Sequence, residues 1–133
     1  TIEINRLDPC RAFCNGPEIK QVILNLVANA LQATPDDGRL DIRINALPDA
    51  VEVVFRDTGS GMTPETLEHL FDPFFSTKGP GQGTGLGLSI SHAIVEKHHG
   101  TLEAASAGPG QGSTFRLRLP ASEKAASAAA ERQ

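Results

Sequence analysis

The stretch Asp57-Thr58-Gly59-Ser60-Gly61 organises the chain, because it places one carboxylate and two closely spaced glycines directly after an apolar run. The run, Val51-Glu52-Val53-Val54-Phe55, has the composition of a β-strand. A carboxylate at the end of a strand can accept a hydrogen bond from an exocyclic amine. Glycines beside it let a flat ring or a second stretch of backbone approach closely, since no Cβ stands in the way. Taken alone, the stretch is equally typical of an ordinary turn.

The composition predicts one globular domain within the 133 residues. The formal net charge is −4 and no cluster of Lys and Arg is present, so nucleic acid is not expected as a partner. No apolar run has the length of a membrane span and no secretory signal opens the sequence. A cytoplasmic location is expected for this part of the parent protein. Cys10 and Cys14 are interpreted as small buried hydrophobes.

A long helix is predicted from Gly16-Pro17-Glu18 to the stop at Thr34-Pro35-Asp36-Asp37-Gly38. Proline fits a first-turn position, and glutamate complements the positive end of the helix dipole. The apolar residues that recur at helical spacing are Ile19, Val22, Ile23, Leu26, Val27 and Ala30.

Two asparagines, Asn25 and Asn29, lie one turn apart beside this apolar face, and Gln21 and Gln32 extend the same polar edge. Asparagine is a poor residue for a helix interior, because its amide competes for backbone hydrogen bonds. The pair is either two solvated amides or part of a site.

The remaining pattern predicts short strands and two more helices. Helices are expected from Thr63 to Leu70 and from Leu86 to His99, with Gly100 at the first position past the second helix. The predicted strands are Thr1 to Arg6, Arg11 to Asn15, Leu40 to Ala46, Val51 to Asp57, Thr101 to Ala107 and Gly112 to Leu119. Residues 121–133 are expected to be a disordered tail or a linker, so the domain is predicted to span residues 1–120.

A Phe-rich segment, Phe71 to Lys78, is followed by the glycine-rich segment Gly79 to Gly87 and then by a helix. Free backbone N–H groups at a helix N-terminus, with no side chains in the way, are suited to phosphate. The segment has neither the P-loop pattern nor the Gly-x-Gly-x-x-Gly dinucleotide pattern.

Four motifs in this order resemble the catalytic ATP-binding domain of sensor histidine kinases, within the superfamily shared with Hsp90, MutL and DNA gyrase. Asn25-Leu26-Val27-Ala28-Asn29-Ala30 is similar to the N box and Asp57-Thr58-Gly59-Ser60-Gly61-Met62 to the G1 box. Phe71-Asp72-Pro73-Phe74-Phe75 is similar to the F box and Gly83-Thr84-Gly85-Leu86-Gly87-Leu88 to the G2 box. Gly112-Ser113-Thr114-Phe115 resembles the closing strand of the family.

The resemblance implies an α+β two-layer sandwich of the Bergerat type. It consists of a mixed, mostly antiparallel sheet of about five or six strands with three helices on one face. Residues 71–82 would form a mobile lid, with Phe74 or Phe75 gripping the core when the lid closes.

The resemblance also implies ATP and Mg²⁺ as ligands and assigns residues to each. Asp57 would accept the adenine amino group, next to the base-side residues Gly59, Gly61, Met62, Phe71 and Thr114. Asn29 and Asn25 would bind Mg²⁺, with Gln82 as a further ligand. The residues implied to contact phosphate are Lys78, Gly83, Thr84, Gly85, Leu86 and Gly87.

The implied function is transfer of the γ-phosphoryl group of ATP to a histidine on a separate dimerisation domain of the parent kinase, which feeds a response regulator. The parent can be a membrane-bound sensor whose cytoplasmic part contains this domain, and the isolated domain is expected to be monomeric. The alternatives are ATP hydrolysis, phosphorylation of serine, and a docking module that binds nucleotide without catalysis.

This sequence departs from the family at two positions. Gln32 occurs where many members have a basic residue, which leaves Lys78 as the expected phosphate contact. Asn25 occurs where the hydrolytic branch has a glutamate, which disfavours hydrolysis because an amide cannot act as a general base. Glu18 stays open as an alternative base. None of the four histidines (His69, His92, His98 and His99) lies in the context of a phosphoacceptor.

Overall fold

The computed structural model describes residues 2–6, 12, 14–75 and 87–131. Within these residues the strands are β1 (Ile2–Arg6), β2 (Leu40–Ala46), β3 (Ala50–Asp57), β4 (Thr101–Ala105) and β5 (Ser113–Pro120). The helices are α1 (Gly16–Ala33), α2 (Pro64–His69), α3 (Gly87–Lys97) and α4 (Glu123–Glu131).

The strands form one mixed sheet in the order β1-β2-β3-β5-β4. β1 runs parallel to β2, and the other three pairs are antiparallel. The prediction of a mixed, mostly antiparallel sheet of about five or six strands is therefore confirmed, with five strands in the part of the chain that the structure describes. The sheet brings the ends of β3 and β5 together, with Asp57 opposite Ser113.

One face of the sheet packs against the helices. On this face lie three neighbouring side chains of the central strands: Ile42, Phe55 and Phe115. The helices contribute Val22 from α1 and Val95 from α3, and neither has any exposed surface. The side-chain period of two sends alternate residues of each strand to the other face.

Glu52 belongs to that other face and is only 7% exposed. Its carboxylate accepts a hydrogen bond of 2.8 Å from Arg118 Nε. This bond is the main reason that the pKa of Glu52 lies below its ordinary value.

The segment before α1 differs from the sequence prediction. Asn15 was expected in a strand, but it is the N-cap of α1: its side chain accepts a hydrogen bond of 3.0 Å from the backbone N–H of Glu18. Asparagine followed three residues later by glutamate is a helix-start pattern, and this local bond prevails over the weak alternation. Cys14, expected to be buried, is exposed.

The end of α3 is shifted by one residue from the prediction. His99, with φ of 60°, takes the left-handed position that was assigned to Gly100. The N–H groups of His99 and Gly100 bond the carbonyls of Glu96 and Val95, which is the Schellman arrangement. Gly100 is needed for another reason, since a Cβ on it would lie 2.2 Å from the carbonyl oxygen of Arg118.

Residues after 120 were expected to be frayed, but Glu123–Glu131 form helix α4. The helix contacts β5, and Ala126 is 6% exposed. The end of the domain at residue 120 stays a prediction.

Candidate functional site

Asp57 is the last residue of β3 and its side chain is 4% exposed. One carboxylate oxygen, Oδ1, accepts hydrogen bonds from the backbone N–H of Gly59 at 2.9 Å and from that of Ser113 at 3.2 Å. No described residue donates to the other oxygen, Oδ2. Burial raises the pKa of Asp57, and the two N–H donors act in the opposite direction. The carboxylate is thus fixed through one oxygen and offers the other as an acceptor.

The two glycines after Asp57 let backbone segments approach each other. A Cβ on Gly59 would lie 2.3 Å from the carbonyl oxygen of Ala33 at the end of α1. Gly61 has φ of 69°, and a Cβ there would lie 2.2 Å from the carbonyl oxygen of Gly108. The sequence suggested that either a flat ring or a second stretch of backbone approaches these glycines. In the structure it is the neighbouring backbone that approaches them. Their contact with a ring stays a prediction.

Hydrogen bonds hold the loop between β3 and α2 against the turn between β4 and β5. Gly110 N–H donates to Ser60 O at 2.7 Å, and Met62 N–H donates to Ser106 Oγ at 2.9 Å. On its other side, Ser60 N–H donates to Ala33 O at 2.9 Å, which satisfies a carbonyl at the end of α1. The carboxylate of Asp57 therefore lies in a frame of hydrogen-bonded backbone segments.

The residue next to Asp57 on β5 is Ser113, while the contact of Thr114 with the base stays a prediction. Ser113 pairs with Asp57, shares the inward face with Phe115, and is 8% exposed. Thr114 pairs with Arg56, and the side-chain period of two places both on the other face of the sheet. The alternation of β5 could have predicted the inward position of Ser113, because Ser113 lies two residues before the inward-facing Phe115.

The two asparagines of α1 differ in their surroundings. Asn25 Nδ2 donates to Ser91 Oγ at 3.2 Å and to Gly87 O at 3.4 Å, and its Oδ1 accepts from Gln21 Nε2 at 2.9 Å. The half-buried side chain of Asn29 has no hydrogen bond to a described residue. Neither Ser91 nor its bond to Asn25 was anticipated from the sequence.

The start of the Phe-rich segment packs on α3. The ring of Phe71 stacks on that of His92, with centroids 4.7 Å apart. Phe74 has φ of 66° and is 76% exposed, so it does not grip the core in this structure. His69 Nδ1 lies 2.9 Å from Asp72 Oδ2, and this hydrogen bond raises the pKa of His69.

Six predicted site residues lie outside the described residues: Lys78, Gln82, Gly83, Thr84, Gly85 and Leu86. The seventh residue of that region, Gly87, is the first residue of α3. Among the described residues no group of three or more His, Cys, Asp and Glu could hold a metal ion. A metal ion bound at α1 would therefore be coordinated by neutral side-chain amide oxygens and by oxygens of the bound nucleotide.

Residues 14–123 match the family described as histidine kinase-, DNA gyrase B-, and HSP90-like ATPase. The chain belongs to this family. The match includes both asparagines of α1, Asp57 and the start of α3. It confirms that the motifs recognised in the sequence belong to an ATP-binding domain of the histidine-kinase type.

Sensor kinases are among its curated relatives. The sensor histidine kinase ZraS of Klebsiella oxytoca is 44% identical over 112 residues, which are 84% of this chain and 24% of ZraS. Sporulation kinase E of Bacillus subtilis (strain 168) is 39% identical over 114 residues, which are 85% of this chain and 15% of that kinase. The chain thus spans a quarter or less of the length of these relatives.

Solved histidine-kinase domains have the same fold. A nucleotide-free form of the catalytic domain of histidine kinase ThkA has a TM-score of 0.80 and 33% identity, covering 93% of this chain and 82% of that domain. The mycobacterial sensor histidine kinase MprB has a TM-score of 0.75 and 28% identity, covering 90% and 81%. Over the part of the chain that the structure describes, none of the helices is long and apolar enough to cross a membrane.

Proposed function

We propose that this domain binds Mg·ATP and donates the γ-phosphoryl group to a histidine on a dimerisation domain of the same parent kinase. The observation that carries this proposal is the buried carboxylate of Asp57, fixed through Oδ1 with Oδ2 left as an acceptor. Sensor kinases among the relatives support the same activity.

Asp57 selects the base. Oδ2 accepts a hydrogen bond from the exocyclic amine of adenine, whereas guanine carries a carbonyl oxygen at the same ring position. Two acceptors would then face each other, and a buried carboxylate without a donor is costly. Ser113 lies beside this edge of the base, and Met62 and Phe71 close the site on the side of the helices.

The phosphates bind between α1 and the start of α3. Gly87 opens α3, where backbone N–H groups and the helix dipole favour anions. Asn29 on α1 offers an amide oxygen to Mg²⁺. This ion needs only one or two protein ligands when phosphate oxygens and water fill its other coordination positions. When bound, Mg²⁺ neutralises the phosphate charge. Lys78, Gln82 and residues 83–86 complete this side in the proposal.

The transfer step forms a bond between phosphorus and an imidazole nitrogen of the acceptor. The bond from phosphorus to the β–γ bridging oxygen breaks, ADP leaves with that electron pair, and the imidazole releases its N–H proton to water. The domain positions the nucleotide and stabilises charge, and contributes no covalent intermediate. The acceptor histidine, the downstream response regulator and a cytoplasmic location belong to the parent kinase. By itself the domain would be monomeric.

Hydrolysis is not the favoured activity, because Asn25 stands where the hydrolytic branch has a glutamate, and an amide cannot act as a general base. Glu18, the alternative base, is bound by Lys97 Nζ at 3.2 Å through both carboxylate oxygens. It also lies seven residues before Asn25, about 10 Å along the helix. Asn25 itself is an amide and is engaged by Ser91 and Gln21.

Calorimetric titration of ADP and of a non-hydrolysable ATP analogue, with Mg²⁺ and with EDTA, tests the site. Wild type and Asp49→Ala, an exposed turn variant, should bind equally, whereas Asp57→Ala should lose adenine binding. Labelled ATP and an added dimerisation domain with its acceptor histidine then test transfer. Absence of adenine-nucleotide binding by the folded wild type would overturn the site. Binding without transfer would leave a docking module.

A further inference from the structure

A fully buried serine hydroxyl, Ser91 Oγ, lies between α1 and α3. Ser91 has no exposed surface, and its hydroxyl donates to the carbonyl oxygen of Gly87 at 2.8 Å. The same oxygen accepts from Asn25 Nδ2 at 3.2 Å. A hydroxyl has one proton, so once this proton is directed at Gly87 the oxygen can only accept from Asn25.

This order of donors sets the orientation of the Asn25 amide. The nitrogen must face α3, where it meets both Ser91 Oγ and Gly87 O. The oxygen therefore faces Gln21, which donates to it at 2.9 Å. Gln21 lies one turn before Asn25, whereas Asn29 lies one turn after it. The amide oxygen that a metal would need already has a donor, on the side away from Asn29.

We infer that Ser91 is a positioning residue for the phosphate side of the site, and that Asn25 acts through Ser91 on the start of α3 and is not a metal ligand. Asn29 is then the amide that contacts Mg²⁺. The inference rests on the proposed function, because it concerns how the phosphates and the metal are held. It assigns different roles to two asparagines that the sequence treats as a pair.

The connection is specific to one end of the helix pair. At the other end α1 and α3 are joined by Lys97 with Glu18, and by Asn15 N–H donating to His98 Nε2 at 3.0 Å. Those contacts are remote from Gly87, which starts α3. Removing one of them weakens the helix pair without releasing the first turn of α3, so Lys97→Gln is a matched control.

The experiment compares Ser91→Ala, Asn25→Asp, their double variant and Lys97→Gln. Dissociation constants are measured for ADP with Mg²⁺, for ADP with EDTA, and for adenosine by NMR titration. Aspartate keeps the acceptor for Gln21 but cannot donate to Ser91 or to Gly87. Aspartate is also a stronger metal ligand than asparagine. The two roles of Asn25 therefore predict opposite effects of Asn25→Asp.

Ser91→Ala and Asn25→Asp should each weaken Mg·ADP by about three- to tenfold, because each removes two of the hydrogen bonds that join Asn25, Ser91 and Gly87. The double variant should be no weaker than the worse single variant, because both remove the same connection. Adenosine affinity should stay within about twofold of wild type in all variants, and Lys97→Gln should match wild type for all three ligands.

Stronger Mg²⁺ dependence in Asn25→Asp would overturn the inference and make Asn25 a metal ligand. Unchanged Mg·ADP affinity in Ser91→Ala would overturn it as well. If the alanine variant does not fold, Ser91→Cys, of similar volume and with a weaker acceptor, is expected to show the same selective loss. Failure of the proposed function is distinct, since the wild type would then bind no adenine nucleotide.

Discussion

The backbone N–H of Ser113 donates to Oδ1 of Asp57 at 3.2 Å, and this bond decides which carboxylate oxygen is left for a base. Oδ1 also accepts from Gly59 at 2.9 Å. An acceptor with two donors is satisfied, so recognition falls to Oδ2. The side chain cannot exchange its two oxygens without breaking both backbone bonds.

Asp57→Asn should reverse the choice of base. The asparagine oxygen has to take the place of Oδ1, because only an oxygen can accept the N–H groups of Gly59 and Ser113. The amide nitrogen then presents a donor to the amino group of adenine. We expect ADP affinity to fall by about tenfold or more and inosine diphosphate, which has a carbonyl there, to bind better than ADP. Titration of both nucleotides measures this, and unchanged preference for ADP would contradict it.

The same variant should be more stable than wild type at neutral pH. Burial raises the pKa of Asp57 above its ordinary value of 3.8, so folding favours the protonated carboxyl. The stability that this preference contributes is present below pH 3.8 and is lost as the pH rises through the folded pKa. Asparagine carries no such dependence. Urea unfolding from pH 3.5 to 8 should show a difference in unfolding free energy that grows with pH, and Asp49→Asn serves as the exposed control.

Ser113→Ala should weaken adenine binding more than Thr114→Ala. Ser113 pairs with Asp57 and shares its face of the sheet, whereas Thr114 pairs with Arg56 on the opposite face. We expect a loss of about two- to tenfold for Ser113→Ala, the usual effect of one polar contact, and less than twofold for Thr114→Ala. Titration with ADP distinguishes them. The reverse order would return the role to Thr114.

Gly59→Ala should destabilise the fold even without ligand. The new Cβ would lie 2.3 Å from the backbone oxygen of Ala33, and backbone on both sides cannot move away cheaply. We expect a loss of about 2 kcal/mol or more in the free energy of unfolding. Gly16→Ala, where nothing lies within 4 Å of the added Cβ, should stay within about 0.5 kcal/mol of wild type. Chemical unfolding of both variants checks the contrast.

His99→Gly should stabilise the domain. His99 holds φ of 60° at the end of α3, and its buried Nδ1 has no hydrogen-bond partner among the described residues. Glycine takes this conformation without steric cost, so we expect a gain of about 0.5–1 kcal/mol in unfolding free energy. His98→Gly is the control with the opposite sign, because His98 receives the N–H of Asn15 and donates to Ile94 O at 2.7 Å. A loss of stability in His99→Gly would contradict the prediction.

Periodicity and motif order predicted most of the architecture. The apolar spacing of α1, the alternation of β2 and β3, and the cap at Thr63 are local signals, and the structure has each element where it was predicted. The order of the four motifs predicted the family, and the family model that matches residues 14–123 confirms it.

The features that could not be predicted from the sequence are contacts between segments that are distant in the chain. The close approach of Gly59 to Ala33 and the bond from Asn25 to Ser91 join residues of different elements, so no local pattern contains them. Two other missed features, the N-cap at Asn15 and the inward position of Ser113, do not depend on distant contacts. Both follow from local rules, the helix-start pattern and the strand alternation, that were available in the sequence.

The two sides of the base-recognition frame are 56 residues apart in the chain. The hairpin of β2 and β3 closes over a short turn, but Asp57 receives its second donor only after β5 has paired with β3. We expect this long-range pairing to form after the hairpin, because the loop-closure entropy of the intervening chain has to be overcome first. A nucleotide held by this frame would therefore lengthen the lifetime of the native domain by slowing its unfolding, and leave the rate of folding nearly unchanged.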